Sequence, residues 1–275
     1  MAGPLGKRHY AEGAHGQLHF RDADEGAGAP LLLIHQAPMS YRQFDKVFPL
    51  LVERGLRPIA MDIPGFGQSD PPDYVPGIED YASSPVSILD QLGLEQAAIL
   101  GHHTGSLVAT EAALQFPDRF SKLILGGPLP MTDEQRQQGL AYVEEHEKGF
   151  TTKPDGSHLA QAFQNRLSFA NPDTDWSLAS RYIGEQLTSL GPFWYGHNAA
   201  FLYDHGQALM RVKQPTLILT NTGDEIYELA KVTHAMRPDF AWREIAGGGV
   251  DIVDEKPEEW ADHVSEFVLT DQSAG

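Results

Sequence analysis

Along this chain short, continuous apolar runs alternate with longer stretches in which apolar residues return every three or four positions. The runs predict strands at Leu18 to Arg21, Leu31 to His35, Pro58 to Asp62, Ala97 to Gly101, Lys122 to Gly126, Thr216 to Asn221 and Ala241 to Ile245. Most are apolar at nearly every position, not at every second one, which is the pattern of strands covered on both faces. The spacing in Tyr41 to Arg54, Ser106 to Phe116, Glu225 to Met236 and Pro257 to Phe267 predicts helices with one buried stripe. Phe116-Pro117 closes the second of these, because proline disfavours helical backbone in the residue before it. Strands and helices in alternation imply an α/β fold with a mostly parallel sheet flanked by helices.

From about Met131 to Met210 that rhythm stops. The segment carries helical patterns and aromatics but no strand signature, and it lies between the punctuation of Gly126-Gly127-Pro128-Leu129-Pro130 and of Gln214-Pro215. We therefore expect residues 131–210 to be a helical cap inserted into a core of residues 1–130 and 211–275.

Composition narrows the function. With 275 residues, 41% of them hydrophobic and 21% charged, the chain has the make-up of a globular protein that buries a full core. Its 20 Lys+Arg against 38 Asp+Glu leave a net charge of −18, which repels phosphate backbones and anionic headgroups. Nucleic acid and membrane surfaces are poor partners, and the longest strongly apolar run, Pro30 to Ile34, is far too short to span a bilayer. These features predict a cytoplasmic protein that acts on a small molecule. The absence of cysteine removes thiolate nucleophiles and Cys-based metal sites. The chemistry must use His, Ser, Thr, Asp, Glu or Tyr.

The segment Ala98-Ile99-Leu100-Gly101-His102-His103-Thr104-Gly105-Ser106-Leu107-Val108-Ala109 runs from an apolar strand through two glycines into a helix. Such a strand–turn–helix lifts its central residue, here His103, over the end of a sheet. In this the chain resembles the α/β-hydrolase family, and the likeness extends over roughly residues 16 to 268. His35-Gln36-Ala37-Pro38 is similar to the family's loop after its third strand, and Asp62-Ile63-Pro64-Gly65-Phe66-Gly67-Gln68-Ser69-Asp70 to the loop after its fourth. Pro215-Thr216-Leu217-Ile218-Leu219 through Gly223-Asp224 is similar to the strand and turn that carry the catalytic acid.

Two departures alter what the resemblance implies. The elbow centre is usually a serine, aspartate or cysteine, and here it is His103. The usual catalytic histidine lies seven residues before a Pro-Glu pair, and counting back from Pro257-Glu258 reaches Val250, in Gly247-Gly248-Gly249-Val250. One reading is a non-catalytic protein. The other is a rebuilt site, because imidazole reaches further than a serine hydroxymethyl and His103 can fill the space of both missing groups and bond Asp224, with Val250 making room. A His–Asp dyad of this kind is a general base. By the resemblance, backbone N–H groups of Thr104 and of Gln36 or Ala37 form the oxyanion hole.

His35 and His102 flank this site and are expected to border the substrate, but adjacent side chains on a strand point apart, so no metal site is expected. Asp251, Asp254 and Glu255 beyond Val250 read as a surface loop. In the cap, the aromatic-rich stretch Phe193 to His205 suggests substrate contacts from Trp194, Tyr195, His197 and Tyr203. No dinucleotide fingerprint is present and no cofactor is expected. Three functions fit: a hydrolase of a small apolar ester, lactone or diketone through activated water; a cofactor-free lyase, isomerase or oxygenase using the same base; and a ligand-binding protein without turnover.

Overall fold

In the computed structural model, which describes residues 6–24, 26, 28–170 and 175–270, the apolar runs become a single sheet. Its strands are β1 (Lys7–Gly13), β2 (Gly16–Asp22), β3 (Ala29–Ile34), β4 (Leu56–Met61), β5 (Ala97–His102), β6 (Phe120–Gly126), β7 (Thr216–Asn221) and β8 (Ala241–Ile245). They pair in the order β1-β2-β4-β3-β5-β6-β7-β8. β1 and β2 form an antiparallel hairpin, β2 runs antiparallel to β4, and all later pairings are parallel. The fold is the mostly parallel, helix-flanked α/β architecture that the alternating pattern implies. β1 is the strand the pattern missed, since it lies at the edge of the sheet and only Ala11 of its residues is buried.

The sheet separates two apolar layers, because successive side chains of a strand leave it on opposite faces. From β3, Leu32 and Ile34 pack with Ile99, Leu107 and Val108, whereas Leu31 and Leu33 pack with Leu100, Phe44 and Trp260. Both faces are therefore dry, and loops at the strand ends are the remaining places for polar chemistry. Registers Ile34↔Gly101 and His102↔Gly126 bring the carboxyl ends of β3, β5 and β6 together. In open parallel sheets that edge is where ligands bind.

Three helix expectations are corrected at their starts, and the helix after β5 begins at Thr104, two residues before Ser106. The stretch from Tyr41 to Arg54 divides into a 3₁₀ turn, Tyr41–Phe44, and an α-helix, Val47–Glu53. An unbroken helix from Tyr41 would bury Pro49 in its interior, whereas a start at Val47 keeps it in the first turn, where the missing N–H does no harm. Helix Tyr227–Met236 starts two residues later than Glu225, because Asp224 Oδ1 accepts from Ile226 N at 3.2 Å and holds a turn there.

Between β6 and β7 the described residues form no strand. They make helices Asp133–Tyr142, Ser157–Leu167, Trp176–Thr188, Tyr195–Leu202 and His205–Leu209. Polar bonds tie this segment to the sheet layer: Tyr203 Oη donates to Glu111 at 2.6 Å, Arg166 Nη2 to Asp251 at 2.6 Å, and Arg181 to Asp254. Asp251 and Asp254 are thus buried partners of two arginines, not members of a solvated loop. Among the described residues no helix is long and apolar enough to cross a membrane.

Glycines at 105 and 184 give opposite tests of packing. A Cβ on Gly105 would stand 2.2 Å from Ile34 O and 2.7 Å from His35 O, both backbone, whereas one on Gly184 meets nothing within 4 Å. Gly105→Ala is expected to destabilise by about 1–3 kcal/mol, and Gly184→Ala, inside a helix, to stabilise by up to about 1 kcal/mol. Thermal melts of the two variants beside the wild type check both signs.

Candidate active site

The elbow is made by its backbone. β5 ends at His102, and His103 adopts φ 49°, ψ −115°, a conformation costly for a residue with a side chain, by about 1–3 kcal/mol. His103 N–H donates to Gly126 O at 2.6 Å and its carbonyl accepts from Ser106 N at 2.8 Å. Ser106 Oγ bonds Gly101 O at 2.8 Å and Gly126 O at 3.0 Å, so its hydroxyl braces the turn. Gly101 is obligatory, since a Cβ there would lie 2.0 Å from Gly105 O.

Thrown forward in this way, the His103 ring meets the loop after β7. Nε2 lies 2.8 Å from Asp224 Oδ2, with the two side chains 12% and 3% exposed. Nδ1 has no hydrogen bond among the described residues. Burial opposes protonation of His103, but the charge and hydrogen bond of Asp224, with help from Glu225, outweigh it and raise its pKa above the ordinary value. Burial pushes the Asp224 carboxyl up, and the His103 charge and hydrogen bond reverse this to leave it below the usual range. A neutral ring with its proton on Nε2 leaves Nδ1 as an acceptor.

A cavity of about 370 Å³ lies over this pair. His103, Thr104, Ala37, Gln36, His197 and Val250 all contribute to its wall. Gln36 nonetheless fails as an oxyanion donor. Its N–H is taken by Gln43 Oε1 at 2.8 Å, and its side-chain amide lies 3.1 Å from Met39 Sδ. Ala37 and Thr104, the latter at the first position of its helix, both line the cavity, and among the described residues neither backbone N–H makes a hydrogen bond.

Several expected contacts do not line the cavity. His35 is fully buried, donating from Nδ1 to Gln36 O at 2.8 Å and accepting Ile63 N–H at Nε2 at 3.0 Å, so it joins two loops. His102 is buried with Nε2 3.4 Å from Val250 O, and burial, with the neighbouring His103, drives its pKa down to about 3. Its ring stacks on that of His103 at 4.6 Å and 19°, because the left-handed backbone at His103 breaks the alternation that would send the two side chains apart. Trp194 packs under Lys148 and against Tyr195, and Tyr203 is turned to Glu111. These rings pin the helical segment.

What the sequence did not single out is the polar wall. Tyr142, Glu147, Arg166, Tyr182 and Glu225 line the cavity with His197. His197 Nδ1 lies 2.6 Å from Glu147, and although burial opposes it, that carboxylate and a backbone hydrogen bond to Ala37 raise the His197 pKa. Burial raises Glu225. The available signal was helical spacing: Tyr142 precedes Glu147 at the end of one helix and Arg166 ends another, but no motif marks them.

A family model described as alpha/beta hydrolase fold matches residues 29–256. The chain belongs to the α/β-hydrolase fold family. A haloalkane dehalogenase of Psychrobacter cryohalolentis is 32% identical over 45% of the chain, and the match spans only 42% of that enzyme. The hydrolase YugF of Bacillus subtilis, itself uncharacterized, is 25% identical over 86% of the chain and 89% of its own length. Among solved structures, a bromoperoxidase from Bacillus anthracis superposes with a TM-score of 0.78 at 22% identity, covering 96% of this chain and all of its own. An enol-lactonase from Burkholderia xenovorans gives 0.79 at 14% identity, over 95% of this chain and 100% of its own.

The pair makes a signed prediction. In the wild-type hydrolase-fold chain His103 should titrate above its ordinary value of about 6.5, and in Asp224→Asn below it, because burial is then the largest remaining influence. The stabilisation from His103 is present at low pH and fades as pH rises through its raised pKa, while that from Asp224 is present above its usual value and fades as pH falls. Ring-proton NMR titration of both proteins reads the shift directly, and an unchanged His103 pKa in the variant would contradict this electrostatic account.

Proposed function

We propose that the chain is a hydrolase of small carbonyl compounds, such as esters, lactones or diketones, in which His103 is the general base and Asp224 orients it. The observation that carries this reading is the 2.8 Å bond between His103 Nε2 and Asp224 Oδ2 at a strained elbow facing a cavity. Neutral His103 takes a proton from water at Nδ1, and the resulting hydroxide attacks the carbonyl carbon. The oxyanion is received by the N–H groups of Thr104 and Ala37, and the imidazolium returns its proton to the leaving group. No acyl-enzyme forms, since no serine, cysteine or aspartate stands at the elbow.

Residues 131–210 act as the cap of this site, and Val250 is the side chain that leaves room for the imidazole. Leu129, Met131, Phe201, Ile226 and Leu229 give the cavity an apolar side that suits an uncharged acyl or ring portion of the substrate. The hydrolase and lactonase names among the relatives support the reaction class. They do not bear on the altered base.

Activated esters, small lactones and β-diketones offered to the wild type and to His103→Ala test the reading. We expect turnover that falls about 10²–10⁴-fold in the variant, with no covalent adduct in the quenched wild type. Equal turnover in both proteins, or an acyl adduct on the enzyme, would sink it. Exchange of substrate carbon-bound hydrogen with solvent, without cleavage, would move His103 to direct deprotonation. The neutral ring is the active form and its pKa is raised, so kcat/KM is expected to climb with pH through a limb lying above about 6.5.

A further inference from the structure

Arg166, the last basic residue of helix Ser157–Leu167, lines both the His103 cavity and a second cavity of about 370 Å³ inside the helical segment. Its side chain is 3% exposed. Among the described residues its one hydrogen bond runs from Nη2 to Asp251 Oδ2 at 2.6 Å, and Nε is buried without a partner. The guanidinium lies over the Tyr182 ring, 4.6 Å from its centre, which fixes the direction of the fork. A buried guanidinium N–H with nothing to donate to, as at Nε, is costly unless a ligand supplies the acceptor.

The surroundings favour an anion. Asp251 follows Val250 directly, so Arg166 is held by the loop that borders the base, close enough for its charge to disfavour protonation of His103. The other cationic groups of the cavity are already matched, His103 by Asp224 and His197 by Glu147. Asp251 matches Arg166 less well: burial, with Asp254 and Glu255 nearby, keeps its carboxyl above the ordinary value in spite of Arg166 and Arg181. Glu225 shares the cavity, and burial likewise favours its neutral form.

We propose that Arg166 is the binding site for a carboxylate on the substrate, which makes the substrate a carbonyl compound with one anionic end and one apolar end. The planar fork offers two parallel donors to a carboxylate, which a point-like ammonium does not. The anchored end sets where the carbonyl carbon lies relative to His103 Nδ1, while the apolar residues receive the rest. This deepens the hydrolase reading and rests on it for the reaction, though not for the binding.

Phenylacetate and phenylacetamide have the same shape and differ in charge, and calorimetric titration of both needs no turnover. The wild type is expected to bind phenylacetate about tenfold or more tightly than the amide, and folded Arg166→Gln to lose that preference. A crystal of the wild type with phenylacetate should hold the carboxylate within hydrogen-bond distance of the Arg166 guanidinium, a readout that stands even if the variant does not fold. No preference in the wild type, including binding of neither ligand, overturns the proposal, as does a preference that survives in folded Arg166→Gln or a carboxylate seated on His103 or His197. Failure of the ester assay with a positive result here would remove His103 as hydrolytic base and leave the anion site intact.

Discussion

The His103 peptide is held where a residue with a side chain seldom goes, and the geometry of the site follows from that. Its N–H reaches Gly126 O and its carbonyl is met by Ser106 N–H, so the turn is pinned to β6 on one side and to the next helix on the other. Bare α-carbons at 101 and 105 are needed for the strand and helix to approach so closely. The strain is local and the surrounding packing over-determines it. In exchange the imidazole leaves the sheet edge at a fixed angle and finds Asp224 at the end of β7.

The parts that were legible in the sequence are those where burial leaves one answer. β5 and β7 stand where the apolar runs place them, because every one of their residues is buried and strands covered on both faces admit little that is polar. β1 was invisible because Lys7, Arg8 and Glu12 lie on an edge where exposure permits any residue. That His103 and Asp224 meet could be read from their places after β5 and β7. Which way His35, His102 and Gln36 turn could not, since one residue's difference at a strand end decides between the cavity and the backbone of a neighbouring loop. The aromatic cluster failed for a similar reason: composition flagged Trp194, Tyr195 and Tyr203, but their positions around one short helix aim them at Lys148, at each other and at Glu111.

Two adjoining positions of one loop face different neighbours. Val250 stands where the family resemblance expects a base, and it contributes an apolar piece of the cavity wall near His103. Asp251, the next residue, faces the helical segment and holds Arg166, and Asp254 holds Arg181 a turn later. In a chain with eighteen more acids than bases, burying two arginines against this loop is an effective way to fix its position, because breaking a buried pair costs about 3–5 kcal/mol whichever partner is removed. The loop therefore fastens the cavity's outer wall to the sheet.

On the proposed reading the base sits on the elbow itself, which changes how it relates to the oxyanion donors. His103 and Thr104 are consecutive residues on one turn, and the ring is fixed relative to the Thr104 backbone by the strained elbow together with the Asp224 bond. Ala37, the second donor of that reading, is set from the helical segment: Gly196 passes so close that a Cβ would stand 2.3 Å from Ala37 Cβ, and His197, whose Nδ1 meets Glu147, bonds the Ala37 backbone. A shift of helix Tyr195–Leu202 would move Ala37 before it moved His103. On the proposed reading, discrimination among substrates therefore resides in the helical segment and its grip on Ala37, while the strength of the base is set by Asp224 after β7.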